Sequence, residues 1–391
     1  MYRRGAEVFE GRRAQRPAWS PAGPPCSTVP VTNDAATTHD AQTDDPNAPI
    51  GFDVDRVVPW LRERCEWVTP PLTWTKLTGG HSNFTYRVED VNGEQFVMRR
   101  PPLGELLPSA HDMAREFKVM TALWPTPVPV PEPLAMCDDK TVTGAMFYAM
   151  RSIVGRSLYN ADEVEELVPE GLRREHGFHF IDVLADLHAI EPDAVGLGDL
   201  GRPDAYVGRQ LKRWKASWDA SKTCERADID RLHAYLLDRK PEQGPARVVH
   251  GDFGLHNCIS NNEGRIAAVV DWEISTLGDS LADLAYAMNG WGKRDEASQR
   301  GMKPSLAPGY PTDIELLDRY AERTGVDLRD IDFYISFNHW KTACIIDGVL
   351  ARYYHGQKST EGVDIAGLEL GRDEALENAI TAADRFGYKP T

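Results

Sequence analysis

The stretch "VVHGDFGLHN", residues 248–257, joins two β-branched apolar residues to a His, an Asp and an Asn within ten positions. Val248 and Val249 predict the end of a buried strand, and the polar, Gly-containing run after them predicts a loop. Polar groups on a loop beside a rigid element are where chemistry is usually kept. Further along, "IAAVVDWEISTLGDSLADLAYA" predicts a strand that ends at Asp271, fourteen residues after Asn257. Asp252, Asn257 and Asp271 would then stand at the ends of neighbouring short strands.

Phosphoryl transfer from ATP needs such a set. One carboxylate orients the attacking hydroxyl, while an amide and a second carboxylate hold magnesium against the phosphates. Magnesium prefers hard oxygen ligands and few protein contacts, so an Asn and an Asp suffice.

Upstream, "VDRVVPWLRERC" predicts a short amphipathic helix, and "PLTWTKLTGGHSNFTYRVEDVNGEQFVMRRP" predicts three strands. They are broken by a Gly-rich turn and by an Asn-Gly hairpin signal. A helix is expected from Ser109, where "SAHD" fits a capping box and Met113, Phe117, Met120 and Trp124 recur at helical spacing. "LAMCDD" and "AMFYAMRSI" add two strands, giving a five-stranded sheet with one helix inserted. Beyond Gly155 the pattern is helical, over about 174–190, 204–220, 228–239, 280–290, 313–324, 331–354 and 371–385, interrupted only at 247–271. The fold class is α+β, a small five-stranded sheet lobe and a larger, mostly helical lobe. Residues 1–50, rich in Pro, Ala, Thr and Asp without apolar periodicity, are expected to be disordered. Lobe boundaries are expected at 51–154 and 155–391.

The net charge of −16 speaks against a broad basic face for nucleic acid or an anionic membrane. Six cysteines scattered without a Cys-x-x-Cys pair read as reduced thiols of a cytoplasmic protein. No apolar run of about 18 residues predicts a transmembrane helix.

Residues 51–391 resemble the aminoglycoside phosphotransferase-like kinases through "HGDFGLHN", "VVDWE", "GDSLADLA" and "LTGGHSNFTYRV". Within that family, "RRPPLGELLPSAHDMAREFKVM", "VPVPEPLAMCDD" and "NHWKTACIIDGVLARYYHGQ" resemble the branch found with acyl-CoA dehydrogenases. The resemblance implies a bilobal protein-kinase-like fold with ATP and Mg2+ as cofactors. It implies Asp252 as the base or hydroxyl-orienting residue and Asn257 and Asp271 as magnesium ligands. His250 would hold the loop, and Asp283 would support it from a helix. Gly79, Gly80, Ser82 and Asn83 would cover the phosphates, and Val97 would roof the adenine. The family's usual strand lysine is replaced here by "FVMRRP". Alternate strand residues share a face, so Val97 selects Arg99 over Arg100 as the phosphate-binding cation, with Glu116 as its helix partner. Arginine stays charged and grips phosphate with two bonds, so the exchange is compatible with binding. The branch implies a link to hydroxylated fatty-acid breakdown and to an acyl-CoA dehydrogenase, with a hydroxyacyl-CoA or hydroxy acid as acceptor.

Other readings compete. A kinase-shaped protein that binds nucleotide or acyl-CoA without turnover is disfavoured because base, Asn and Asp are all present. An aminoglycoside acceptor rests on the wider family name alone. His250, His256 and Asp252 suggest zinc only weakly, since their spacing fits no helical His pair. His188 reads as a helix-end core histidine. Lys341 and Arg352, eleven residues apart, can share one helix face and contact an anionic acceptor end, or lie on a solvated charged face.

Overall fold

The computed structural model describes residues 49–77, 83–103, 112–292, 303–360 and 362–388. Contacts divide the chain into two units, one holding the described residues up to Val207 with Pro241–Tyr334, the other Gly208–Lys240 with the chain from Ile335 onward.

In the first unit, α1 (Val54–Arg62) starts at Asp53, whose carboxylate accepts the Arg56 N–H. Strands β1 (Thr73–Lys76), β2 (Phe84–Glu89), β3 (Gln95–Arg100), β4 (Pro133–Cys137) and β5 (Phe147–Arg151) form an antiparallel sheet in the order β1-β2-β3-β5-β4. Asp90 closes the β2–β3 turn by accepting the Asn92 and Glu94 amides at 2.8 and 2.9 Å. Phe96 and Met98 of β3 enter an apolar core with Phe52, Leu61, Tyr86, Val88 and Phe147. Val97 and Arg99 therefore take the opposite face.

Helix α2 (Met113–Leu123) lies between β3 and β4 in sequence. The cap expected at Ser109 lies outside the described residues; Asp112 caps the helix, accepting the Arg115 N–H at 3.0 Å from a non-helical backbone (ψ 86°). A one-turn helix not expected from the sequence, α3 (Lys140–Thr143), joins β4 to β5, capped by Asp139.

Helices α4 (Ala161–Leu167) and α5 (Glu170–Ala189) follow, and α6 (Tyr206–Ser221) and α7 (Ala227–Arg239) lead into the second unit. The chain returns through β6 (Arg247–Val249), β7 (Cys258–Ser260), β8 (Ile266–Val269) and β9 (Thr276–Gly278) to α8 (Ser280–Asn289) and α9 (Asp313–Thr324). The short strands pair as two antiparallel ribbons, β6 with β9 and β7 with β8. The connector after β5 is stitched to β7, since Arg156 and Ser260 exchange both backbone hydrogen bonds at 2.9 Å. Gly155 allows this approach: its φ is 138°, and a Cβ there would lie 2.4 Å from the Ser260 carbonyl oxygen.

The second unit packs α6 and α7 with α10 (Ile331–Tyr354) and α11 (Ile365–Arg385), which starts six residues before the expected 371 because Asp364 caps it. Trp218, Leu232, Phe337, Trp340 and Leu376 are buried in it. The fully buried Asp347 accepts from Arg372 at 3.0 Å and from the Thr223 hydroxyl at 2.7 Å, so its charge is paired. Among the described residues no helix is long and apolar enough to cross a membrane.

His176 of α5 is fully buried between the Tyr310 hydroxyl (2.7 Å) and Ser260 Oγ (3.0 Å). Burial, helped by the charge of His179, lowers its pKa from 6.5 to about 4. The unfolded chain accepts this proton below pH 6.5 while the folded protein refuses it. His176 therefore stabilises fully above pH 6.5 and progressively less as pH falls toward 4, by on the order of 1 kcal/mol per pH unit. The melting temperature should fall between pH 7 and pH 5, and fall less in His176→Gln; equal falls in both proteins would remove His176 as the cause.

Candidate active site

Strand β6 delivers the chain to His250, and Gly251 turns it at φ 86°, a left-handed conformation that suits glycine. The turn aims two successive amides at one buried carboxylate. The N–H groups of His250 and Gly251 donate to Asp283 Oδ2 and Oδ1 at 2.7 and 2.8 Å. Asp283 stands in the first turn of α8, whose N-cap is Asp279. Behind it, His188 places Nε2 3.2 Å from Asp283 Oδ2 and Nδ1 2.7 Å from the Tyr320 hydroxyl, so His188 is a core histidine. Burial opposes the charge of Asp283, but the bond to His188, the fields of His188 and His250 and the backbone amide hold it below the usual carboxylate range.

His250 fixes the loop from within. The Asp252 N–H donates to its Nδ1 at 3.3 Å, so the ring proton belongs on Nε2, which donates to the Val270 carbonyl at 3.0 Å. The Asp252 carboxylate is held at both oxygens. Tyr286 donates its hydroxyl to Oδ1 at 2.5 Å, and Asn257 Nδ2 donates to Oδ2 at 3.0 Å. His256 Nε2 lies 3.4 Å from Oδ1. Burial opposes ionisation, yet His256 and Tyr286 hydrogen bonds and the two histidine fields bring the pKa down to about 2. Asp252 is therefore an ionised acceptor near neutral pH.

Asn257 spends its amide nitrogen on Asp252, donating also to the Asp252 carbonyl at 2.9 Å. Its side-chain oxygen is the end left for a cation. The Asn257 carbonyl accepts the Val270 N–H at 2.9 Å, which sets Asp271 at the neighbouring strand end. Asp271 has φ 68°, a left-handed backbone uncommon outside glycine and concentrated at functional sites.

Arg99 on β3 reaches this point from the sheet. Its Nη2 donates to Asp271 Oδ1 at 3.1 Å, and its Nε lies 3.4 Å from Glu116 Oε2. Burial works against the charge of Arg99, but Glu116 and Asp271 outweigh it and keep the guanidinium protonated; burial pushes the Glu116 carboxyl up. Arg100 points to the other face, donating to the Gly51, Pro101 and Thr143 carbonyls. Arg115 ties α2 down by donating to the Leu200 and Ser275 carbonyls, both at 2.8 Å. Asn83 donates to Glu273 Oε2 at 3.3 Å.

The structure thus gathers His250, Asp252, Asn257, Asp271, Arg99 and Glu116, with Asn83 joined through Glu273. Val97 is buried on the same face of β3 as Arg99. Gly79, Gly80 and Ser82 lie outside the described residues. Lys341 and Arg352 belong to the second unit, where Lys341 is buried and Arg352 exposed, so they do not form one solvated face. Sequence reasoning missed Tyr286, Glu273 and Arg115. Tyr286 was legible as the residue three after Asp283, which puts both on one face of α8.

The donor set fits magnesium: an amide oxygen and a carboxylate sit at adjacent strand ends, and one cation, Arg99, faces Glu116, Asp271 and Glu273. A divalent ion balances that excess, and hard oxygen donors are what magnesium takes. Among the described residues no group of three or more His, Cys, Asp or Glu is arranged to hold a metal, which leaves the zinc reading without support. A separate cavity of about 530 Å³ lies behind the loop, lined by His188, Asp279 and Tyr320. Two of its three arginines pair with its own carboxylates, Arg323 with Asp186 and Arg329 with Asp327, and Arg247 pairs with Glu191.

An aspartate-bearing loop braced from a helix, with an Asn and an Asp on the next hairpin and an Arg–Glu pair from a five-stranded sheet, defines a kinase-like phosphotransferase domain. Comparison with known proteins agrees. The chain belongs to the phosphotransferase enzyme family APH, which matches residues 73–312. A solved structure from Ralstonia eutropha, classed provisionally as an aminoglycoside phosphotransferase, is 29% identical with a TM-score of 0.74, covering 85% of this chain and 99% of that one. Acyl-CoA dehydrogenase family member 11 of Gallus gallus is 33% identical over 303 residues, 74% of this chain and 38% of the relative. Acyl-CoA dehydrogenase family member 10 of Mus musculus is 34% identical over 298 residues, 75% and 28% respectively. The chain thus spans less than two fifths of the length of these curated relatives.

Asp271→Ala should weaken magnesium-dependent nucleotide binding, because it removes an anionic oxygen beside Asn257. Calorimetry with ATP, with and without magnesium, measures this; an unchanged magnesium dependence places the metal elsewhere.

Proposed function

We propose that this protein is an ATP- and magnesium-dependent small-molecule kinase that phosphorylates a hydroxyl, with a hydroxyacyl-CoA or the free hydroxy acid as acceptor. The observation that carries the kinase reading is the division of labour between two carboxylates on adjacent strand ends. Asp252 is held by Tyr286 and Asn257 and kept ionised, while Asp271 is turned toward Arg99.

The chain's own residues account for the transfer. Asp252 receives the hydrogen bond of the acceptor hydroxyl and takes its proton as the oxygen bonds to the terminal phosphorus of ATP, and ADP leaves with the bond electrons. Arg99, largely shielded from water and permanently charged, stabilises phosphate oxygens, and Glu116 keeps it in place. Asn257 and Asp271 would hold magnesium, which neutralises phosphate charge when bound.

The names of the curated relatives, and the resemblance of "NHWKTACIIDGVLARYYHGQ" to the dehydrogenase-associated branch, support an acyl acceptor and a functional link to an acyl-CoA dehydrogenase. The chemistry is reasonable, because hydroxide leaves poorly and a phosphate ester makes the same carbon ready for elimination. Cytoplasmic placement belongs to the same reading.

Asp252→Asn should lower turnover by about two to four powers of ten while leaving ATP–magnesium binding nearly unchanged. Retention of more than half the wild-type turnover would end the assignment of Asp252. Side-by-side kinetics test the acceptor: a hydroxyacyl-CoA or hydroxy acid should show a higher kcat/KM than kanamycin. The opposite order, with no hydroxyacyl compound phosphorylated, would remove the acyl acceptor and leave the kinase.

A further inference from the structure

We propose that Tyr286 is a positioning residue for the base, fixing the Asp252 carboxylate so that Oδ2 is the oxygen presented to the acceptor hydroxyl. The inference rests on the kinase reading above and deepens it, adding to the Asn257 bond within the loop a bond from a helix outside it.

Asp283 and Tyr286 lie one turn apart on α8 and act on the same loop at two levels. Asp283 takes the backbone amides of His250 and Gly251, and Tyr286 takes the side chain two residues on. One helix face therefore sets both the path of the loop and the rotation of its carboxylate.

The donors are distributed unequally over Asp252. Oδ1 accepts the Tyr286 hydroxyl at 2.5 Å and has His256 Nε2 at 3.4 Å, whereas among the described residues Oδ2 accepts from Asn257 alone, at 3.0 Å. A carboxylate offers about four lone-pair sites, two on each oxygen; His256 stands beside the second site of Oδ1, so among the described residues Oδ2 is the oxygen with an unobstructed acceptor site. A phenol–carboxylate bond at 2.5 Å lies in the short, charge-assisted class and can hold the carboxylate against rotation. Burial first, and then the charge of Asp252, pushes the Tyr286 phenol well above its ordinary range, so it remains a donor. A base aimed at one hydroxyl gains from a fixed orientation, because misplacement by a fraction of an ångström costs rate without costing nucleotide affinity.

Tyr286→Phe removes the hydroxyl and little else. Its kcat should fall about tenfold or more, read as ADP formation with a medium-chain hydroxyacyl-CoA and, separately, with water as acceptor. KM for ATP and the melting temperature should stay close to wild type, and Tyr286→Phe should add no further loss to Asp252→Ala. In protein labelled with 13C at the tyrosine Cζ, the signal missing from Tyr286→Phe should shift when Asp252→Ala is introduced. A Tyr286→Phe protein with more than half the wild-type kcat overturns the proposal, as does a loss explained by a lower melting temperature or a signal that does not move. A wild type that forms ADP with water but not with the hydroxyacyl-CoA removes only the acyl acceptor, and the Tyr286 comparison is then read from the water reaction.

Discussion

The carboxylate of Asp283 takes the amide hydrogens of His250 and Gly251, one on each oxygen, and the loop that follows takes its shape from that pair of bonds. Two backbone N–H groups buried without such partners would each cost about 1–3 kcal/mol. The carboxylate in turn needs its own support, which His188 and Tyr320 provide from α5 and α9. The chain of dependence is short. Two helices hold a histidine, the histidine holds an aspartate, and the aspartate holds the main chain that carries Asp252. Gly251 completes it, because its left-handed backbone lets consecutive amides converge on one acceptor.

Charge organises the other side of the site. Arg99 is largely shielded from water, and a cation in such a place is tolerated when it is paired. It is paired twice, once with a residue of the adjoining helix and once with Asp271. The first contact, with the fully buried Glu116, is largely shielded and fixes the side chain; the second, with the partly exposed Asp271, is the one an incoming anion can rearrange. Replacing the family's usual strand lysine by arginine suits this position, since a planar guanidinium can face two carboxylates at once.

Much of this was legible in the sequence, and the limits have physical causes. The five strands could be read from alternation and turn residues, and parity along "FVMRR" separated Arg99 from Arg100, because period two admits no intermediate. The cap expected at Ser109 lies outside the described residues, and the described helix is capped by Asp112; both residue types cap, and local pattern cannot rank the two. Strand β9 went unread, since three residues with no apolar alternation pair only because β6 lies beside them. Lys341 and Arg352 were spaced for one face, but α10 is buried around most of its surface, and helical spacing does not report which faces meet water. Tyr286 was not singled out, because its partner lies 34 residues away.

Arg115 carries a different kind of consequence. Both of its acceptors, at Leu200 and Ser275, are main-chain carbonyls, which every amino acid possesses. The tether is therefore blind to side-chain identity at its far ends. Whatever their packing demands of the buried Leu200 and Ser275, these two bonds ask only that the backbone keep its course, and on the helix that carries Glu116 they depend on a single guanidinium.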